Sequence, residues 1–186
     1  MSAHFGKTRF WIRMTTTICI LGLLFACSAS SSGDTVSRSE RSSSYDGMNS
    51  ADAKAILDAH NQARAEVGVK PLIWNTQLAA IASIYAKKLA SSGRFEQSGQ
   101  RSYGEKLFMG TAGVYGPVDA VRAWTEEKRD YDYNANHGHG NTVGHYTQVV
   151  WSGTTAVGCG QAVGHGSMWM VCNYFPAGNV VGQRPY

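Results

Sequence analysis

Two segments in the first half of the chain carry apolar residues at the spacing of an amphipathic helix. The first begins at Ser50, a favourable N-cap, and ends before Gly68; the second begins at Asn75 or Thr76 and ends at Gly93. The stripes are Ala55, Ile56, Ala59, Ala63 and Val67 in the first segment and Leu78, Ala82, Tyr85 and Leu89 in the second. Each segment therefore predicts a helix with one buried face.

A third helix is predicted from Pro117, a residue favoured in the first turn, and carries Ala120, Val121 and Trp124. After Tyr133 the pattern changes. Residues 134–144 form a loop rich in glycine, asparagine and histidine, and residues 145–151, 156–163 and 168–174 then have the pattern of β-strands. The last two strands flank a predicted hairpin turn at 164–167. Helices followed by an antiparallel sheet predict an α+β layered fold.

The N-terminus has the pattern of an export signal over residues 1–26. A basic region is followed by nine apolar residues, 18–26, whereas a membrane span needs about 20. Residues 24–27 resemble a bacterial lipobox, in which Cys27 becomes lipidated. The alternatives are soluble secretion and a retained anchor, and all three predict a domain outside the cytoplasm.

A serine-rich stretch follows the signal. Nine of the 17 residues in 28–44 are serine, and only Val36 is a large aliphatic residue. Such a segment cannot bury enough apolar surface to offset its ordering entropy. We therefore predict a flexible tether over 27–49 and one folded domain over 50–186.

The formal charge of +4 depends on the signal. Three of the 17 basic residues precede residue 26, so 14 basic side chains oppose 13 acidic ones in the rest of the chain. No dense basic stripe remains, which argues against a nucleic-acid partner. We expect a monomer that reaches a membrane only through a lipid anchor.

Cysteine positions agree with export. Of the four cysteines, Cys19 lies inside the signal and Cys27 at its edge, which leaves Cys159 and Cys172 in the folded part. An even pair in an exported domain favours a disulfide, worth roughly 3 kcal/mol, over two buried thiols. The predicted hairpin would place the two residues on neighbouring strands.

Several short motifs occur in the order found in one family. They are His60-Asn61-x-x-Arg64, Gly104-Glu105, Trp124-x-x-Glu127, GHYTQVVW at 144–151 and CNYFPAGN at 172–179. Together they make the chain resemble the CAP family (cysteine-rich secretory proteins, antigen 5 and plant pathogenesis-related class 1 proteins), closest to the plant type. The resemblance implies a three-layer α-β-α sandwich with a central antiparallel sheet and a cleft. It also assigns His60, Asn61 and Arg64 to structural support.

The chain departs from the plant-type pattern at two places. Gly93 and Val143 stand where one cysteine pair would be, as expected if that bridge is lost as a unit. The cleft of the family presents two histidines and two glutamates. Glu105, Glu127 and His145 match three of them, but Gln97 replaces the first histidine.

The implied cleft chemistry has two readings. Glu105, Glu127 and His145 are suitable ligands for a divalent cation such as zinc, although Gln97 in place of histidine should weaken zinc binding. The alternative is a hydrogen-bonded polar cluster without metal. His137 and His139 could supply a replacement ligand from the loop, or could simply be solvated.

Three functions follow as expectations. The leading one is a binding module for a lipid, a sterol or a cell-wall or host component at the cleft residues Gln97, Glu105, Glu127 and His145. A second is a metal-dependent hydrolase that uses Glu105, Glu127 and His145, although no GxSxG or HExxH motif is present. The third is a precursor whose C-terminal signalling peptide begins at Pro176; the alternative is a C-terminal segment that packs on the sheet with Tyr186 as a plug.

Overall fold

A computed structural model describes residues 48–134 and 142–186. The predicted signal, Cys27, most of the predicted tether, and His137 and His139 lie outside these residues. Met48, which falls in the predicted tether, is only 1% exposed and belongs to the core. Within the described ranges, no helix is both long and apolar enough to cross a membrane.

The chain forms helices around one four-stranded sheet. The helices are α1 (Ser50–Glu66), α2 (Thr76–Ser92), α3 (Pro117–Glu126) and α4 (Gly144–Val149), and a short 3-10 helix (Glu127–Asp130) follows α3. The strands are β1 (Ile73–Trp74), β2 (Gly104–Thr111), β3 (Ala156–Gly164) and β4 (Ser167–Phe175). Asn49 caps α1 and Asn75 caps α2, each by accepting a backbone N–H bond through its side chain.

The sheet has the strand order β1-β3-β4-β2. β4 is antiparallel to both β3 and β2, whereas β1 pairs with β3 in parallel, so the sheet is mixed. Helix α2 packs on one face with Leu107, Trp169 and Val171. Residues of α1, α3 and α4 pack on the other face with Met168, Met170 and Tyr174. The predicted three-layer α-β-α sandwich is confirmed.

Two elements differ from the sequence-based prediction. The prediction of a strand over residues 145–151 is wrong. These residues form most of α4 and its C-terminal turn. β2 was not predicted, because glycine and lysine interrupt its apolar pattern; its eight residues all find register partners on β4. The predicted hairpin is present, and Cys159 and Cys172 are direct register partners joined by a disulfide.

His60, Asn61 and Arg64 anchor α1 to the rest of the domain. His60 is buried and bonds through Nδ1 to the Ile56 carbonyl (2.8 Å) and through Nε2 to the Tyr174 hydroxyl (2.8 Å). Burial lowers the pKa of His60 to about 4, so the ring is neutral at physiological pH. Asn61 exchanges two hydrogen bonds with the backbone of Leu72.

Glycines on β3 set the distance between α2 and the sheet. A Cβ built on Gly158 or Gly160 would overlap the backbone of α2 at Ala79 or Ser83. Because backbone atoms cannot move aside like a flexible side chain, only glycine permits this approach.

We therefore expect Gly160→Ala to lower the free energy of unfolding by about 1–3 kcal/mol, the range for an overpacked core. Urea denaturation would measure the loss. The matched control is Gly116→Ala, where the nearest atom to the built Cβ is 3.8 Å away and the expected change is under about 1 kcal/mol. Equal stability of Gly160→Ala and the wild type would contradict the packing argument.

Candidate functional site

The polar centre of the site is the pair formed by Glu127 and His145. Glu127 Oε1 receives a hydrogen bond from His145 Nδ1 at 2.6 Å. Glu127 Oε2 receives the backbone N–H groups of His145 (2.9 Å) and Tyr146 (3.0 Å). These groups belong to the first turn of α4 and have no acceptor within the helix. Glu127 therefore caps α4 and orients the His145 ring at the same time.

These donors stabilise the ionised form of Glu127. Burial alone would raise the pKa of Glu127, but the hydrogen bond from the His145 ring, the backbone bond from Tyr146 and the charge of His145 together lower it. Since Nδ1 is committed to Glu127, Nε2 is the imidazole atom that can meet a ligand.

Trp124 fixes the other side of the imidazole. Its indole lies parallel to the His145 ring, with 3° between the planes and 6.0 Å between the centroids. The indole Nε1 donates to the Leu107 carbonyl of β2 at 3.3 Å. Trp124 is buried and also lines the apolar pocket described below.

Glu105 points to the opposite face of the sheet. Its register partner on β4 is Asn173, whose amide donates to the Leu78 carbonyl of α2. Burial raises the pKa of Tyr85 on α2, and the charge of Glu105 raises it further. Glu105 is 8% exposed and accepts the Ser98 N–H at 2.8 Å. Its contacts are therefore on the α2 side, whereas Glu127 and His145 pair on the other.

Gln97 lies exposed in the loop after α2. The structure thus joins two of the four predicted cleft residues by direct contact, Glu127 and His145. Among the described residues, no hydrogen bond or ion pair joins Gln97 or Glu105 to that pair. The motifs identify residue types but not the strand face on which each side chain lies.

The donor set does not fit a tetrahedral zinc site. Among the described residues, no three or more histidine, cysteine, aspartate or glutamate side chains are close enough together to hold a metal ion. Zinc in proteins takes three or four such ligands.

Lys106 is a site residue that sequence analysis missed. Because alternate residues of a strand face opposite ways, Lys106 points away from Glu105 and toward the α3 and α4 side. It is partly buried, and its Nζ lies beside Gly144 at the start of α4. Burial lowers the pKa of Lys106, and the charge of Glu127 acts in the opposite direction. Recognition of β2 as a strand would have revealed this orientation.

An apolar pocket of about 360 Å³ lies between β2 and α3, and Glu127 and His145 are part of its lining. Its apolar lining consists of Phe95, Leu107, Phe108, Met109, Ala123 and Trp124. A second cavity of about 480 Å³ shares Phe108, Met109 and Ala123 and extends to Tyr115. We call the two cavities together the groove. Phe95 is 55% exposed and Met109 is 47% exposed, so apolar surface of the groove is open to solvent.

The C-terminal segment packs beside the site. Asn179 accepts a bond from Thr147 Oγ1 (2.8 Å) and donates to the Gly144 carbonyl (2.8 Å), both on α4. Tyr186 lies within hydrogen-bonding distance of Tyr146, hydroxyl to hydroxyl at 3.3 Å. These contacts are with α4, whereas packing on the sheet was predicted; Tyr186 does lie against the domain, and release of a peptide stays a prediction.

We expect Glu127→Gln to destabilise the domain by about 1–2 kcal/mol, the cost of weakening a helix cap. The pKa of Glu127 is lower in the folded state than its ordinary value, so its charge contributes stability at neutral pH. As the pH falls through the folded pKa, the contribution is lost. The gap in unfolding free energy between wild type and variant should therefore be widest at neutral pH and close in acid.

Urea titrations from neutral to acidic pH would measure this gap. Glu126→Gln is the matched control, because that neighbouring carboxylate is largely exposed and has only a 3.6 Å contact to Arg129. A gap that is independent of pH would contradict the role of the Glu127 charge.

Comparison with known proteins agrees with this architecture. Residues 57–174 match the sequence profile of CAP, the Cysteine-rich secretory protein family. Pathogenesis-related protein PRMS of Zea mays is 45% identical over 70% of this chain and 80% of its own length; for pathogenesis-related protein 1B of Nicotiana tabacum the values are 45%, 70% and 78%.

Solved structures give the same picture. The crystal structure of NaASP2 with Zn2+ has a TM-score of 0.65 at 26% identity and covers 75% of this chain and 87% of that one. Venom allergen-like protein 4 of Schistosoma mansoni has a TM-score of 0.60 at 27% identity, with coverage of 74% and 94%. The chain belongs to the CAP family and is most like its plant pathogenesis-related class 1 members.

Proposed function

We propose that this protein is an exported binding module that holds a lipid or sterol-like molecule in the pocket between β2 and α3. The observation that carries the proposal is the combination of an open apolar groove with a polar pair, Glu127 and His145, in its lining. An amphipathic molecule has the matching distribution of apolar and polar surface.

The size of the groove supports a small-molecule ligand. Its two overlapping cavities, of about 360 and 480 Å³, fall within the usual range for ligand pockets, roughly 300–1,000 Å³. Side chains such as Phe108, Met109 and Trp124 give a neutral aliphatic or ring-shaped body the contacts it needs. A cell-wall polysaccharide would need more hydrogen-bonding groups than this lining presents.

The two other candidate functions gain less support. A metal-dependent hydrolase would need a metal, and the described donors do not fit one. A released peptide would have to leave contacts with α4 that include both hydrogen bonds of Asn179. We therefore keep ligand binding as the proposed function.

The binding proposal predicts that Ala123→Phe blocks the groove. Ala123 is exposed on α3 and lines both cavities, so a phenyl ring there should fill ligand space without disturbing the core. We expect at least a roughly tenfold loss of affinity for fluorescent sterol and fatty-acid probes, equivalent to about 1.4 kcal/mol. Fluorescence titration of the purified protein would measure it.

Ala65→Phe is the matched control, because it makes the same change at an exposed position of α1 outside both cavities. This variant should bind like the wild type. Failure of the wild type to bind either probe, or to carry any lipid that can be extracted, would sink the proposal.

Export is the second part of the proposal and rests on residues 1–47, which the structure does not describe. The nine-residue apolar run, the lipobox-like segment 24–27 and the serine-rich stretch support an exported, lipid-anchored or secreted protein.

We expect the mature protein in a bacterial expression host to begin at Cys27 and to incorporate a labelled fatty acid there. Mass spectrometry of the N-terminal peptide would identify the modification, and Cys27→Ser should abolish it. Cys19→Ser, inside the signal, should leave the label in place. A mature N-terminus without acylation would favour soluble secretion, and an uncleaved signal would favour a retained anchor.

A further inference from the structure

Four of the nine tyrosines in the chain form one aromatic cluster where the C-terminal segment meets the domain. Tyr131 packs on Tyr146 and on Tyr186, with ring centroids 5.4 and 5.8 Å apart. Tyr133 packs on Tyr186 at 5.5 Å, with 33° between the ring planes. The Tyr146 and Tyr186 hydroxyls lie 3.3 Å apart. Tyr186 is therefore the member that contacts all the others.

The Tyr186 ring is held in this place by the two residues before it. The Arg184 guanidinium lies over the Tyr133 ring, 4.5 Å from its centroid. The Pro185 carbonyl accepts a hydrogen bond from the Ser152 N–H at 2.6 Å. Three consecutive residues of the C-terminal segment thus contact the domain, and two of them meet the same tyrosine.

The members of the cluster differ in their access to solvent. Tyr133 is 39% exposed and Tyr186 is half-buried. The Tyr131 hydroxyl is buried and has no hydrogen-bond partner among the described residues. Oxidation of a phenol to a phenoxyl radical releases a proton together with the electron, so the phenol needs a proton acceptor. Water can serve Tyr133 in this way, whereas Tyr131 has no acceptor beside it.

We propose that Tyr133 and Tyr186 are a modification site at which oxidation joins the two rings as a dityrosine. The oxidant is hydrogen peroxide, used by a haem peroxidase. Each phenol loses one electron and one proton, and the peroxide takes up both electrons and both protons to become two molecules of water. The two phenoxyl radicals form a carbon–carbon bond between the ring carbons next to the oxygens. The hydrogen on each of these carbons then moves to the oxygen, which restores both phenols and leaves the protein two hydrogen atoms lighter.

The bond would fasten the C-terminal segment to the part of the chain that follows the 3-10 helix. The Cys159–Cys172 disulfide indicates that the domain works in an oxidising environment, as this reaction requires. Residues 176–186 include Asn179, which bonds twice to α4, so the cross-link also secures the helix that carries His145. Like a disulfide, it acts by restricting the unfolded chain.

Treatment of the purified protein with a haem peroxidase and hydrogen peroxide tests the assignment. We expect dityrosine fluorescence in the monomer. After reduction of the disulfide, cleavage before Asp132 and after Met170 places Tyr133 and Tyr186 on separate peptides. Mass spectrometry should find these peptides joined, two hydrogen atoms lighter than their sum. The melting temperature of the cross-linked monomer should rise by about 5 °C or more.

Single substitutions separate this pair from the other tyrosines. Tyr133→Phe and Tyr186→Phe each keep a ring but remove the phenol, so each should abolish the bond. Tyr103→Phe is the matched control, because Tyr103 is half-buried at the start of β2, away from the cluster, and this variant should cross-link like the wild type. A circular-dichroism melt of each untreated variant shows that the fold is kept.

Several results would overturn the assignment. They are the absence of dityrosine, its presence only in dimers or between other tyrosines, and a yield that Tyr133→Phe leaves unchanged. Equal yield of this pair after unfolding in urea would also overturn it, because contact in the folded state would then not direct the coupling. None of these results bears on ligand binding, which is tested separately.

Discussion

The arrangement of the domain depends on one buried guanidinium. Arg64 of α1 is fully buried and donates to the carbonyls of Lys70, Val149, Trp151 and Thr154, at 2.7 to 2.9 Å. Burial lowers its pKa to about 10, so Arg64 still carries its charge at physiological pH. Desolvation of that charge is offset by carbonyl dipoles alone, since no carboxylate in the described residues pairs with it. One side chain thereby ties α1 to the end of α4 and to the segment that leads into β3.

The position of α4 is set by charges at both of its ends. At its N-terminus Glu127 accepts two backbone N–H bonds, and at its C-terminus Arg64 donates to the Val149 and Trp151 carbonyls. Both match the sign of the helix dipole. A helix of six residues has little stability of its own, so these contacts and the packing of Tyr146 and Val149 must hold it. The contacts that hold α4 therefore also position the His145 ring at the groove.

The same restraint explains why sequence analysis succeeded in some regions and failed in others. Helices α1, α2 and α3 follow from local periodicity and caps, and the β3–β4 hairpin follows from its turn. Thr147, Val149 and Val150 have high β-propensity, yet Glu127 and Arg64 impose a helix from distant parts of the chain. β2 was missed for the opposite reason. Its local sequence pattern is weak, and it becomes a strand through its pairing with β4. Glu127 and His145 could be named from family motifs, whereas the opposite orientation of Glu105 and Lys106 could not be seen without that strand.

The amphipathic character of the groove follows from the sequence of β2 once the strand is in place. Lys106, Phe108 and Gly110 leave one face of the strand in succession, and of these Phe108 and Gly110 line the groove. A Cβ at Gly110 would meet the ring of Tyr115, so glycine there lets that ring close the far end. β2 is also an edge strand, and its Leu107 carbonyl receives the indole that stacks on His145. Register with β4 therefore fixes the apolar lining relative to the Glu127–His145 pair, and a shift by one residue would place Glu105 on the α4 side of the sheet in exchange for Lys106.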